Sequence, residues 1–153
     1  MDIIYSQGPR KVWFAQVQRP FVFESPVPGR EFVLFLYQGV EIASTDEFCL
    51  LSDAFIDQRC RYAVCAGHQC GAWDDSIDSS YVMAEIDGRK LPDVMTTWHT
   101  DWPLDETVDF LVRDTRVDDE VPEVFVVLVL GGDETLAERI RSAVVAGFEE
   151  NAE

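Results

Sequence analysis

A chain of 153 residues, 47% hydrophobic and carrying ten Phe, holds enough apolar material for one packed domain. That composition excludes a disordered class, and the longest clean apolar run, Val124 to Gly131, is far short of the ~18 residues that cross a bilayer. The net charge of −17 repels nucleic-acid phosphate and anionic lipid, so neither nucleic acid nor membrane is an expected partner.

The charge is unevenly placed. Residues 1–30 hold Arg10, Lys11, Arg19 and Arg30 against Asp2 and Glu24, whereas the rest holds 8 basic against 27 acidic side chains. Such a surface steers basic proteins toward itself, although excess carboxylates also serve plain solubility. Met1 to Gln7 lacks the basic region and apolar core of a secretory signal, so a cytoplasmic location with reduced thiols is expected. Of the four cysteines, Cys49, Cys60 and Cys65 read as small buried apolar residues in a helix and around a strand.

Residues 1–30 lack helical periodicity. Val12 to Val17 and Phe21 to Phe23 cluster apolar residues around Arg19-Pro20, which suits a hairpin or a pair of edge strands. Phe32 to Tyr37 is a continuous apolar run, a strand covered on both faces. Ser44-Thr45-Asp46-Glu47 matches a capping box, and Phe48, Leu51, Ser52 and Phe55 continue at helical spacing. Tyr62 to Ala66 is a second strand, ended by Gly67.

Trp73, Ile77, Tyr81 and Ala84 space as a helix, with Gly88 as terminator and Pro92 beyond. Val94 to Trp98 is a third strand. Pro103 fits the start of the next helix, whose stripe is Leu104, Val108 and Leu111. After a charged loop, Val124 to Leu130 is a fourth strand. Asp133 caps the last helix, which carries Leu136, Ile140, Ala143 and Val144.

Four strand–helix units in alternation predict an α/β domain in three layers, mainly parallel, with the N-terminal strand or hairpin antiparallel at one edge. Residues 1–30 form that extension, 31–148 the α/β domain proper, and 149–153 a frayed acidic tail.

In an open parallel sheet, ligands bind outside the carboxyl ends of the strands. The segment from Cys65 to His99 supplies two of the loops there, and holds both histidines and Trp73 and Trp98. If the second and third strands flank the first, their loops meet above it. Cys70 with His99 or His68 could then form a thiolate–imidazole pair oriented by Asp74 or Asp75. The crowd of Asp74, Asp75 and Asp78 opposes a thiolate, and carboxylates there also suit the first turn of a helix. Cys65, His68, Cys70 and His99 are zinc-type ligands without zinc-type spacing, so no metal is expected. Gly131-Gly132-Asp133 lacks the glycine pattern and lysine of a phosphate cradle, so no nucleotide or other cofactor is expected. Trp73, Trp98 and Trp102, with His68, are candidates for a binding surface beside an acidic rim, or for core.

At these residues the chain resembles a family of small bacterial proteins of unknown function. The resemblance rests on Cys70-Gly71-Ala72-Trp73-Asp74-Asp75-Ser76-Ile77-Asp78, on Val94-Met95-Thr96-Thr97-Trp98-His99, and on Asp101 with Pro103-Leu104. Ile77 stands where the family pattern has valine. The likeness covers roughly residues 60–130 and implies that Cys70, Trp73, Asp74, Asp75, Thr96, Trp98 and His99 act as one constellation; it implies no activity. Two readings follow. The first is a non-catalytic, immunity- or regulator-like protein that binds a basic partner. The alternative is a small hydrolase or transferase using Cys70, His99 and Asp74 or Asp75.

Overall fold

Continuous apolar strands are stable only where both faces of a sheet are covered. A computed structural model describes residues 1–152, and among these it places the two most apolar segments side by side in the middle of a six-stranded sheet. In chain order the elements are β1 (Asp2–Gln7), β2 (Arg10–Val17), β3 (Phe32–Gln38), α1 (Thr45–Asp57), β4 (Cys60–Gly67), α2 (Cys70–Ile86), β5 (Met95–Trp98), α3 (Leu104–Arg113), β6 (Val124–Leu130) and α4 (Glu134–Glu150). The strand order is β1-β2-β6-β3-β4-β5. All neighbours run parallel except β1, which is antiparallel to β2.

The chain thus adopts the expected α/β fold with an N-terminal hairpin at one edge. Within the hairpin only β1 is antiparallel to the sheet; β2 pairs parallel with β6 from Lys11↔Val124 to Val17↔Leu130. Phe21 and Phe23 are not in a strand. They are buried in irregular chain, with Phe23 against Phe32 and Phe55. The acidic tail is shorter than expected, because Phe148 is fully buried and α4 runs on through Glu149 and Glu150; Glu153 lies outside the described residues.

Strand alternation divides the core in two. Leu34, Leu36, Ala63, Cys65, Val126 and Leu128 face α1 and α2, and meet Leu51, Phe55, Trp73 and Ile77. Val33, Phe35, Val64, Phe125, Val127 and Val129 face α3 and α4, and meet Val108, Leu111, Ile140, Val144 and Phe148. The helix ends follow their capping chemistry. Ser44 and Glu47 form the full capping box of α1, and Asp133 accepts from the Leu136 amide at 2.8 Å to start α4.

The winding reverses between β3 and β6, since β3 leads to α1 on one face and β6 to α4 on the other. A ligand crevice is the general expectation there. Here it is closed. The amides of Gly39 and Val40 both donate to the Leu130 carbonyl, at 2.8 and 3.1 Å. A Cβ on Gly131 would overlap Val40, and one on Gly132 would stand 2.6 Å from Leu136 Cδ2. The space above the switch point is filled by Val40 and Leu136, and any site must lie to one side of it.

Candidate functional site

β4 and β5 are direct neighbours, paired from Tyr62↔Met95 to Cys65↔Trp98, so the loops after them are adjacent. They nevertheless deliver Cys70 and His99 to opposite faces, while His68 joins His99 on the α3 side. Cys70, the first residue of α2, is 3% exposed in the core under α1 and α2, with Sγ 3.5 Å from Thr100 Oγ1. The His99 ring packs against Trp102 and Phe110, on the α3 side, with centroids 4.3 and 4.7 Å away. The thiol thus packs on the α1–α2 side and the imidazole on the α3 side, and no hydrogen bond joins them: Cys70 Sγ meets Thr100 and His99 Nε2 meets Thr97.

On the α1–α2 face, the carboxyl end of β3 is held by a buried amide network. Gln38 is fully buried. Its Oε1 accepts from Trp73 Nε1 at 2.6 Å, and its Nε2 donates to Val40 O and Gln69 Oε1. Gln69 Oε1 also accepts from the Ala43 amide. Every polar atom of Gln38 is thus used, which is what burial of an amide requires. Trp73 is 0% exposed and packs against Phe48 with ring centroids 4.3 Å apart, so it presents nothing to a partner. It is a core residue.

The aspartates are not helix caps. α2 begins at Cys70, with Gln69 in the left-handed region at φ 53° and no side-chain cap, so Asp74, Asp75 and Asp78 sit beyond the first turn. Asp74 and Asp78, four apart, share the helix face toward β5. Thr96 Oγ1 donates to Asp78 Oδ1 at 2.8 Å. Asp74 is 7% exposed, and its Oδ1 has no hydrogen-bond partner. Burial raises its carboxyl above the ordinary value, and the charges of Asp78 and Asp75 add to this; the nearby Thr96 hydroxyl offsets part of it. Asp75 is exposed. Trp98 completes this seam: it is 55% exposed, and its indole lies beside Gly71, where a Cβ would be 3.7 Å from Cδ1.

On the α3–α4 face, a cleft of about 580 Å³ opens at the carboxyl edge. His68, His99, Asp101, Trp102 and Arg139 line it, with Tyr37 and Leu136 behind. His68 is exposed and His99 buried. His99 Nε2 shares a hydrogen bond with Thr97 Oγ1 at 3.0 Å, and its Nδ1 has no partner. Burial lowers the His99 pKa, which favours neutral imidazole. Cys60 and Cys65 are wholly buried; desolvation pushes the Cys60 thiol up to about 12 and raises Cys65 as well, so neither is a nucleophile. Cys49, in contrast to the expected burial, is exposed on the outer side of α1. Among the described residues no group of three or more His, Cys, Asp or Glu side chains is placed to hold a metal ion.

A family model described as a domain of unknown function, DUF7684, matches residues 15–146. The chain belongs to this family. No curated protein and no solved structure matches it. The match runs from the last residues of β2 into α4, so it takes in β3 to β6 with α1 to α3 and most of α4. It reaches further toward the N-terminus than the motifs alone suggested.

Three site residues of this DUF7684 domain escape a reading of the sequence. Gln38 ends an otherwise apolar strand, and that isolated amide was the available signal. Gln69 and Arg139 carry none, because the first matters through its left-handed backbone and the second through the approach of α4 to the cleft. Arg61 is a similar surprise at the opposite edge. It is 6% exposed, and is held by Glu31, Asp118 and the Asp93 carbonyl. That cluster lies at the amino ends of β3 and β4.

Proposed function

We propose that this chain is a non-catalytic interaction module that binds a basic protein partner, in the manner of small immunity or regulatory proteins. The observation that carries the reading is Trp98: a large aromatic side chain, 55% exposed, on an open edge strand beside Asp74, Asp75 and Asp78 of α2. Aromatic anchors within a charged surround are how interfaces concentrate binding energy. Trp102, 47% exposed, adds a second anchor around the same carboxyl edge, and the exposed His68, on the loop after β4, lines the same cleft as Trp102. The net charge of −17 supplies long-range attraction for a basic surface, which raises association rates by roughly 10- to 1,000-fold at low salt.

The hydrolase or transferase alternative finds less support. Its thiol and imidazole face opposite sides of the sheet, and a catalytic pair needs contact at about 3 Å. A cytoplasmic setting fits the four free cysteines, two of them wholly buried, and among the described residues no helix is long and apolar enough to cross a membrane.

The test is an affinity capture at low ionic strength, repeated near 0.5 M salt, where the screening length shrinks to about 4 Å. The wild-type chain retains a basic protein that high salt releases and that Trp98→Ala fails to hold. Retention indifferent to both salt and Trp98 would sink the reading.

A further inference from the structure

β5 has β4 on one side and no strand on the other. In a parallel pair, successive residues turn their main-chain groups alternately to the two sides. The His99 amide donates to the Cys65 carbonyl at 3.1 Å, so Met95 and Thr97 also point toward β4. Thr96 and Trp98 therefore present both N–H and C=O to the open edge. Their side chains are the same ones that line the α2 seam, with Asp78 on Thr96, and with Gly71 and Asp74, whose Oδ1 has no partner, alongside.

Natural edge strands are blunted by lysine, proline or a bulge. β1, at the other edge, has such a device: its register slips between Ile3 and Tyr5. β5 reads Met-Thr-Thr-Trp, with none of the three, and Met95 and Trp98 are 54% and 55% exposed. Its one protection is that it is short.

We infer that β5 is the acceptor for an added strand: an extended basic segment of the partner pairs with the main chain of Thr96 and Trp98. On the α2 side, its lysine or arginine side chains meet Asp74 and Asp78 and lie against the Trp98 ring. This rests on the interaction-module reading above and specifies how that interaction is made. Main-chain pairing supplies affinity and the alternate side chains supply selection. The choice of a basic occupant follows from charge. A second copy of this chain paired at β5 would bring its own Asp74, Asp75 and Asp78 to the same seam, whereas a cation there gives the buried Asp74 oxygen the partner it lacks.

The test uses a synthetic peptide of alternating lysine and valine, and a second peptide of the same charge with a proline at its centre. Titration calorimetry and amide hydrogen exchange are read at low salt. The alternating peptide slows exchange at Thr96 and Trp98 by about tenfold or more, and the proline peptide binds at least about tenfold more weakly. Asp74→Asn with Asp78→Asn weakens the alternating peptide about fivefold or more while the unliganded chain stays folded, as its own exchange pattern shows. Equal binding of both peptides without protection at Thr96 and Trp98 overturns strand addition and leaves the acidic-surface reading standing. No binding of either peptide up to about 1 mM removes both. Protection of Thr96 and Trp98 that depends on protein concentration alone overturns the basic occupant in favour of a second copy.

Discussion

The indole nitrogen of Trp73 donates to the side-chain oxygen of Gln38 at 2.6 Å, with both residues fully buried. This one bond ties α2 to the carboxyl end of the central strand β3. It also holds Gln38 so that its amide reaches Val40 and Gln69, and so shapes both loops over the α1–α2 face. Gln38→Leu removes the acceptor and leaves the Trp73 N–H buried and unpaired. The expected cost is about 1–3 kcal/mol, measured by urea denaturation. Trp73→Phe at the same site leaves Gln38 with its two donor bonds and removes the orphan donor, so Gln38→Leu in that background costs less. Equal costs in the two backgrounds would show that the bond is not what matters.

Asp74 couples stability to pH. Burial and the neighbouring Asp78 and Asp75 raise its carboxyl above 3.8 in the fold. The folded state therefore holds that proton more tightly than the unfolded chain. Its contribution to stability is complete below 3.8 and is lost as pH rises through the raised value. Asp74→Asn carries no such loss. At pH 7 the variant is more stable than the wild type by about 1 kcal/mol, and the gain disappears near pH 3. A gain of the same size at both values would place its origin elsewhere.

His99 acts in the opposite direction. Burial against Trp102 and Phe110 holds its pKa below 6.5, so the unfolded chain takes up the proton first. The stability it contributes is present above 6.5 and falls away as pH drops through the lowered value. Thermal melts across that window show a steeper acid loss for the wild type than for His99→Phe. Parallel curves would mean that the imidazole takes up its proton equally in both states, so that burial does not shift it.

Gly147 lets α3 and α4 approach closely. A Cβ there would overlap Val108 Cγ1 and come within 3.8 Å of Val112. Gly147→Ala gains roughly 0.5–1 kcal/mol of helix propensity but costs about 1–3 kcal/mol in overpacking, so the variant is less stable. Val108→Ala added to it makes room and recovers part of the loss. Failure of that rescue would mean that the helices separate freely.

Much of the fold was legible in the sequence, and the pieces that were share a reason. The Ser44–Glu47 capping box and the Asp133 cap involve atoms within three residues of one another, so local chemistry alone sets them. The exposure of Cys49 was within reach too, since it falls off the stripe of Phe48, Leu51, Ser52 and Phe55. The start of α2 was not. Its apolar repeat begins at Trp73, but the helix starts at Cys70, because Gln69 takes up a left-handed backbone and its side chain is claimed by Gln38 and Ala43. That shift of one turn moves Asp74 and Asp75 from cap positions to a seam against β5.

The segment from Cys65 to His99 shows the division most clearly. Composition and periodicity by themselves determined that it spans a buried strand, a helix and a short strand, that it reaches the carboxyl edge, and that the surroundings are acidic. These follow from side-chain chemistry at spacings of two and near four residues. Which of its residues meet was decided by the tertiary structure. Pairing β5 directly to β4 put Cys70 and His99 on opposite faces, left Thr96 and Trp98 on an open edge, and buried one oxygen of Asp74 without a partner. Strand order and edge exposure depend on contacts between segments far apart in the chain, and no local pattern encodes them.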